Sequence, residues 1–199
     1  FHYGSPSIFQ KKNSSKNIEP NLVICGQQTS YYDLSLSGKT SMILIVFKPH
    51  GVKSFFNFPI TELLNENLSL HDLLNNETIE LEDKLFNSPN NRQRITLLEN
   101  FLIKRLITYG EGFTVHNNEF ERVEHTIKII ENSKGQIKTQ DIAPEVCLGI
   151  KQFERTFSKY VGINPKKYTS IVRFQNVIQM RRKHKNSSMF QLAFDNGYY

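Results

Sequence analysis

Residues 139–161 read Thr139-Gln140-Asp141-Ile142-Ala143-Pro144-Glu145-Val146-Cys147-Leu148-Gly149-Ile150-Lys151-Gln152-Phe153-Glu154-Arg155-Thr156-Phe157-Ser158-Lys159-Tyr160-Val161, and the fold of the second half turns on them. Ile142, Ala143 and Val146 give one apolar face to a short helix that begins near Thr139 or Asp141 and runs to Val146. Ala143 is small enough to let a second helix cross closely. Cys147-Leu148-Gly149 makes a tight turn, with Gly149 as the residue that permits it. A second helix runs from Ile150 to about Val161, with Phe153 and Phe157 four apart on its core side. That leaves Lys151, Gln152, Glu154, Arg155, Ser158 and Lys159 on the exposed faces. Helix, three-residue turn, helix is the shape that seats a second helix in the DNA major groove. Long polar and cationic side chains on its outer face reach base edges and phosphates. A merely solvated helix carries the same residue types, so this stretch alone divides evenly between the two readings.

The flanks extend the helical pattern. Asn118 can cap a helix carrying Phe120, Val123, Ile127 and Ile130, closed by Gly135. Gly162-Ile163-Asn164-Pro165 breaks the chain after Val161, and Pro165 fits the first turn of a long helix reaching Lys185. Ser187 or Ser188 can cap a final helix through Phe194, ended by Asn196-Gly197. Toward the N-terminus, residues 111–118 resemble a linker. The expected division is 1–112, a linker at 113–118, and 119–199.

Before the linker the periodicity is mixed. Leu22 to Cys25 is a short apolar run ended by Gly26, and Lys11 to Asn17 is a polar loop. Tyr31 to Leu36 and Ser41 to Lys48 read as a hairpin around the turn Ser37-Gly38-Lys39. The longest apolar run, Met42 to Phe47, reads as a buried strand. From Ile60 onward Leu63, Leu64, Leu68, Leu70, Leu73 and Leu74 spread over short helical pieces, with Ser69 as an N-cap. Asn90 to Tyr109 is the strongest helix, with Ile95, Leu98, Leu102 and Leu106 in a stripe, Phe101 beside them and Gly110 as a stop. That stripe is first a core face and second a dimer contact. The class is α+β: a mainly β N-terminal domain with helices, then an all-α C-terminal domain.

Charge divides at the same place. Residues 1–120 hold 11 Lys+Arg against 12 Asp+Glu, whereas residues 121–199 hold 14 against 7. A neutral half joined to a half of net +7 points the second half at a polyanion. Cys25 and Cys147 stand too far apart for a disulfide framework and read as reduced thiols of a cytoplasmic protein. No apolar run approaches the roughly 18 residues of a membrane span, and no basic-then-apolar leader is visible at Phe1. The histidines (His2, His50, His71, His116, His125, His184) show no metal-ligand spacing. No nucleophile motif or phosphate-cradling glycine loop appears. No catalytic residue, metal or cofactor is therefore expected, and His50 beside Lys48 reads as a turn or surface residue.

The run Asp141-Ile142-Ala143, Gln152-Phe153-Glu154-Arg155-Thr156-Phe157, Gly162-Ile163-Asn164-Pro165-Lys166-Lys167-Tyr168 and Arg173-Phe174 resembles the first half of an AraC-family DNA-binding domain. Ser188-Met189-Phe190-Gln191-Leu192-Ala193 with Gly197-Tyr198 resembles the start of its second half, so the likeness covers about residues 120–199. Gly26-Gln27-Gln28-Thr29 and Phe47-Lys48-Pro49-His50-Gly51, with Phe55-Phe56, resemble the sensor-like domain that precedes it in some members. The resemblance implies two helix-turn-helix units joined by one long helix, Pro165 to about Lys185, with recognition helices in successive major grooves. Lys151, Glu154 and Arg155 would face bases, and Lys159 and Lys166 would contact phosphates. Gln152 and Ser158 belong to the same DNA-facing set. Arg173 would pin the linking helix rather than touch DNA.

Three departures from the family pattern stand out. Gly149 replaces a frequent serine N-cap, at a cost of about 0.5–1 kcal/mol. Pro144 is harmless only if its helix starts late, near Asp141. The residues up to Tyr199 hold no second recognition helix. The expected function is a sequence-specific transcription regulator, an activator by family habit, gated by a small-molecule ligand or a partner at the N-terminal domain. Its expected partners are double-stranded DNA, a small-molecule effector, a second copy of the chain, and RNA polymerase where it activates; no membrane is among them. The alternatives are a cupin-like enzyme, or a domain that dimerises without sensing and carries an appended basic helical domain.

Overall fold

The ladder that organises the N-terminal strands runs between β1 (His2–Gly4) with β2 (Ser7–Lys11) on one side and segments 32–42 on the other. The computed structural model describes residues 1–11, 14–114, 118–183 and 188–198, without the side chains of 111–114. His116, His184, Lys185, Ser187 and residues 115–117 of the expected linker lie outside the described residues. The chain divides into two compact units, Phe1–His116 and Asn117–Tyr199.

In the first unit the strands β3 (Asn17–Ile18), β4 (Val23–Cys25), β5 (Tyr32–Leu36), β6 (Thr40–Met42) and β7 (Asn67–Ser69) follow β1 and β2. β5 and β6 do not form the hairpin that Ser37-Gly38-Lys39 suggested. β6 pairs with β1 and β5 pairs with β2, both antiparallel, while β3 lies on the other side of β2. Gly4 faces Thr40 but Ser7 faces Leu36, so residues 5–6 oppose residues 37–39 and the register slips by one. The Ser-Gly turn is thus a bulge within one ribbon, not a reversal. Ser5 N–H donates to the Lys39 carbonyl at 3.0 Å across it.

The run Met42 to Phe47 is likewise not a buried strand. The β1–β6 ladder ends at His2 and Met42. Beyond it only Ile43 and Phe47 turn toward the core, while Leu44 and Val46 are 77% and 82% exposed. A continuous apolar run reads as buried where both of its faces are covered, and here the core covers only the side that bears Ile43 and Phe47.

The helices of this unit are α1 (Leu70–Leu74), α2 (Asn76–Phe86) and α3 (Asn91–Thr114). Ser69 caps α1, its Oγ accepting from His71 N–H at 3.2 Å. The His71 ring contacts Thr78 Oγ1 at 2.6 Å and the Glu82 carboxylate, and Glu82 also accepts from Asn21. These bonds tie α1 and α2 to the loop before β4. His50 is buried in the turn leading to a 3-10 segment at Gly51–Ser54 rather than on the surface. Leu22, Ile24, Phe56, Leu63, Leu70, Leu81, Leu85 and Leu98 form the core.

α3 passes through Gly110 instead of stopping there. Its buried side is also rotated from the expected stripe. Leu98 is buried, but Ile95 and Leu106 are exposed, and Arg105 takes an inner position at 3% exposure. The Arg105 guanidinium donates to the Phe55 carbonyl at 2.9 Å and to Glu77 Oε2 at 2.8 Å, and lies 4.9 Å and 4.7 Å from the ring centroids of Phe56 and Tyr109. A buried cation so fully partnered is costly to disturb. Arg105→Ala is expected to destabilise the first unit by about 2–4 kcal/mol. Arg105→Lys keeps the charge but loses the planar stacking and forked donors, and is expected to lose more than about 1 kcal/mol. Urea unfolding followed by circular dichroism checks both, and a neutral Arg105→Lys would show that the guanidinium geometry is unimportant.

Candidate nucleic-acid interface

The second unit is built from α4 (Asn118–Asn132), α5 (Thr139–Glu145), α6 (Ile150–Val161), α7 (Pro165–Lys183) and α8 (Met189–Asp195). Its core draws Val123, Ile127 and Ile130 from α4 and Ile142 and Ala143 from α5. α6 supplies Phe153, Phe157, Tyr160 and Val161, α7 supplies Tyr168 and Val177, and α8 supplies Leu192. Phe157 lies 6.2 Å from Phe153 and 5.5 Å from Tyr168 between ring centroids. Burial of each phenyl ring is worth roughly 1.5–3 kcal/mol, and it is this inner row that turns the polar side of α6 outward.

α5 starts at Thr139, earlier than Pro144 seemed to require, so the proline sits inside the helix. It forgoes one backbone bond, one residue before the helix ends and on an exposed face. The turn between α5 and α6 differs from expectation as well. The residue in the left-handed region is Cys147, at φ 54°, while Gly149 is extended at φ −67°. A Cβ on Gly149 would meet nothing within 4 Å. Gly149 is the N-cap residue of α6 and supplies no side-chain bond.

On α6, Lys151, Gln152, Glu154, Arg155 and Lys159 are exposed and Ser158 is half-buried. Lys151, Arg155 and Lys159 follow one another at intervals of four, which places them along one edge over about 12 Å of helix. No hydrogen bond or ion pair engages the side chains of Lys151, Gln152, Glu154 or Arg155 among the described residues. Lys159 differs: its ammonium donates to Glu119 Oε2 in the first turn of α4 at 2.7 Å. That bond holds the lysine above its ordinary pKa, against opposition from desolvation and from Arg155. Lys166 is exposed in the first turn of α7, where Asn164 Oδ1 accepts from Lys167 N–H at 2.8 Å and caps the helix.

Arg173 occupies the structural place that the resemblance implied. Its Nε donates to the Gly135 carbonyl at 2.7 Å and its Nη1 to the Gly197 carbonyl at 3.2 Å, so it joins α7 to the end of α4 and the end of α8. Asn176 bonds Asn196, itself buried and donating to the Leu192 carbonyl at 2.7 Å. Ser188 caps α8, accepting from Gln191 N–H at 3.0 Å. Phe174, Phe190 and Phe194 remain exposed. The basic end of α7, Arg181, Arg182 and Lys183, is exposed too.

Sequence reasoning missed the Glu119–Lys159 pair, because the two residues are forty apart and share no motif. It also missed a cavity of about 400 Å³ beside the α5–α6 turn, lined by Glu121, Arg122, His125, Glu145 and Cys147 among others. Among the described residues no group of three or more His, Cys, Asp or Glu could hold a metal ion, and no helix is long and apolar enough to cross a membrane. Cys25 and Cys147 are both free thiols.

Residues 1–69 match the model of a domain of unknown function, DUF6597. The match covers the strands of the first unit and ends at β7. It includes Gly26 to Thr29, which are laced to the turn at 65–67: Gly26 N–H donates to the Glu66 carbonyl and Thr29 N–H to Asn65 Oδ1 at 2.7 Å. No curated protein and no solved structure matches the chain.

Two glycines of the second unit make opposite predictions. Gly135 stands at φ 71°, and a Cβ there would lie 2.5 Å from the Thr169 carbonyl oxygen and 2.6 Å from Arg173 N. Gly135→Ala is expected to cost at least about 2 kcal/mol, since both strain and backbone overlap oppose it. Gly149→Ser adds an N-cap acceptor in open space and is expected to stabilise by about 0.5 kcal/mol. Thermal unfolding of the two variants beside the parent protein measures both, and a tolerated Gly135→Ala would contradict the close approach of α7.

Proposed function

We propose that this protein is a sequence-specific, double-stranded DNA-binding transcription regulator of the AraC type, in which α5 and α6 act as a helix-turn-helix and α6 enters the major groove. One observation carries the reading: Lys151 and Arg155 project from the exposed side of α6 with no partner of their own among the described residues, above a firmly buried Phe153 and Phe157. A helix locked from below and unengaged above is suited to a surface that supplies acceptors, as base edges and phosphates do. Lys151, Glu154 and Arg155, with Gln152, are the base-facing set. Ser158, Lys159 and Lys166 serve the phosphate backbone. The net charge of +7 in residues 121–199 supports the same partner.

The N-terminal match agrees with this assignment, because the DUF6597 domain is found at the N-terminus of AraC-like regulators. In this reading the first unit senses a small molecule or a partner protein, or holds two copies of the chain together. RNA polymerase is the further partner where the protein activates transcription. The compartment is the cytoplasm, and no chemical step is assigned.

Selection of bound duplexes from a random pool with the full chain tests the proposal and reveals the spacing of half-sites. If about six phosphates are neutralised, log affinity falls on log salt with a slope of about −5. Arg155→Ala is expected to weaken the selected site by about 1–3 kcal/mol more than random DNA. Lys166→Ala is expected to weaken both alike and to flatten the salt slope by about 0.9. Equal losses on specific and random duplexes for Arg155→Ala would remove its base-reading role. A pool that yields no enriched sequence would refute sequence-specific binding.

A further inference from the structure

Lys151, Arg155 and Lys159 form a cationic edge on α6, and only its last member is already engaged. The Glu119 carboxylate sits 2.7 Å from the Lys159 ammonium, and the same oxygen lies 3.5 Å from the Tyr160 hydroxyl. Phe120 packs edge-on against Tyr160 with centroids 6.1 Å apart, which seats the first turn of α4 on the last turn of α6. Both partners of the ion pair are about half exposed, at 52% and 42%. To an ammonium a carboxylate oxygen and a phosphate oxygen are the same kind of acceptor.

We propose that Glu119 is an internal competitor for DNA phosphate, occupying Lys159 and holding DNA affinity down until the first turn of α4 shifts. The inference rests on the DNA-binding reading above and adds its regulation. Because the pair is solvated, exchanging carboxylate for phosphate requires no uncompensated burial of charge, so the contact acts as a graded brake rather than a lock. Helix geometry keeps the brake in place, since an acidic side chain in a first turn is favoured by the exposed N–H groups there. Glu119 follows Thr114, the last residue of α3, by only five positions along the chain. A displacement of the first turn of α4 would uncover Lys159 without any change within α6.

The test is a titration of the full chain with a random duplex and with the selected duplex at two salt concentrations. Glu119→Gln is expected to bind both about two- to fivefold more tightly near 50 mM salt, the gain shrinking at higher salt as screening grows. Its salt slope should steepen by about 0.9, as for one further phosphate neutralised. In a Lys159→Ala background the same substitution should change nothing, which a double-mutant cycle reads directly. Glu121→Gln removes an equal charge from the same helical turn, and a gain as large from it would overturn the proposal by reducing the effect to net charge. Wild type and Glu119→Gln that bind DNA equally would overturn the brake alone. Failure of every variant and of the parent to bind either duplex would overturn the brake together with the DNA-binding reading.

Discussion

Burial of Phe153 and Phe157 beneath α6 is the constraint on which the second unit depends. The two rings fix the rotation of the helix about its own axis, because turning it by one residue would bring Glu154 and Ser158 into an apolar interior. Moving a carboxylate there without a partner costs several kcal/mol, a large share of a small unit's margin of stability. The outward direction of Lys151 and Arg155 is therefore a consequence of packing on the opposite side. Arg173 completes the frame by bonding the carbonyls of Gly135 and Gly197, which ties α7, itself packed on α6, to the ends of α4 and α8.

The first unit reaches its shape through a different device. Its strands are short, and one ribbon carries most of the pairing through a one-residue bulge at 37–39. A bulge increases local twist and re-aims the following residues, and beyond it the apolar segment 43–47 runs along the surface. The core gathers instead around Ile24 of β4 and the helices, with Leu98 of α3 in it, and farther along α3 Arg105 stands among the rings of Phe56, Phe101 and Tyr109. A guanidinium is suited to that place because its flat face stacks on aromatics while its edges still donate.

Charge and packing meet at the junction of α4 and α6. Phe120 and Tyr160 supply apolar contact there, and the same contact delivers the Glu119 carboxylate to Lys159. One small patch thus joins the architecture of the unit to the electrostatics of its exposed edge. The arrangement links the helix that follows the first unit to the one carrying the candidate DNA-facing residues.

What the amino-acid order determined by itself is local. Spacing of Phe153 and Phe157 set the inner face of α6, Gly162 and Pro165 its end and the start of α7, and Ser69 and Ser188 the caps of their helices; each depends on neighbours within about one helical turn. The position of Arg173 followed from a likeness in sequence. Only the tertiary structure decided matters that depend on distant partners. Which strands pair across Ser37 to Lys39 rests on hydrogen bonds to residues more than twenty positions away. Whether Met42 to Phe47 is covered, and which side of α3 faces inward, depend on what another element places against them. The left-handed turn residue proved to be Cys147 rather than Gly149, because the crossing of α5 and α6 and not residue preference sets that dihedral. Glu119 finds Lys159 for the same reason: a short-range electrostatic contact across forty residues exists only once the helices bearing it have packed.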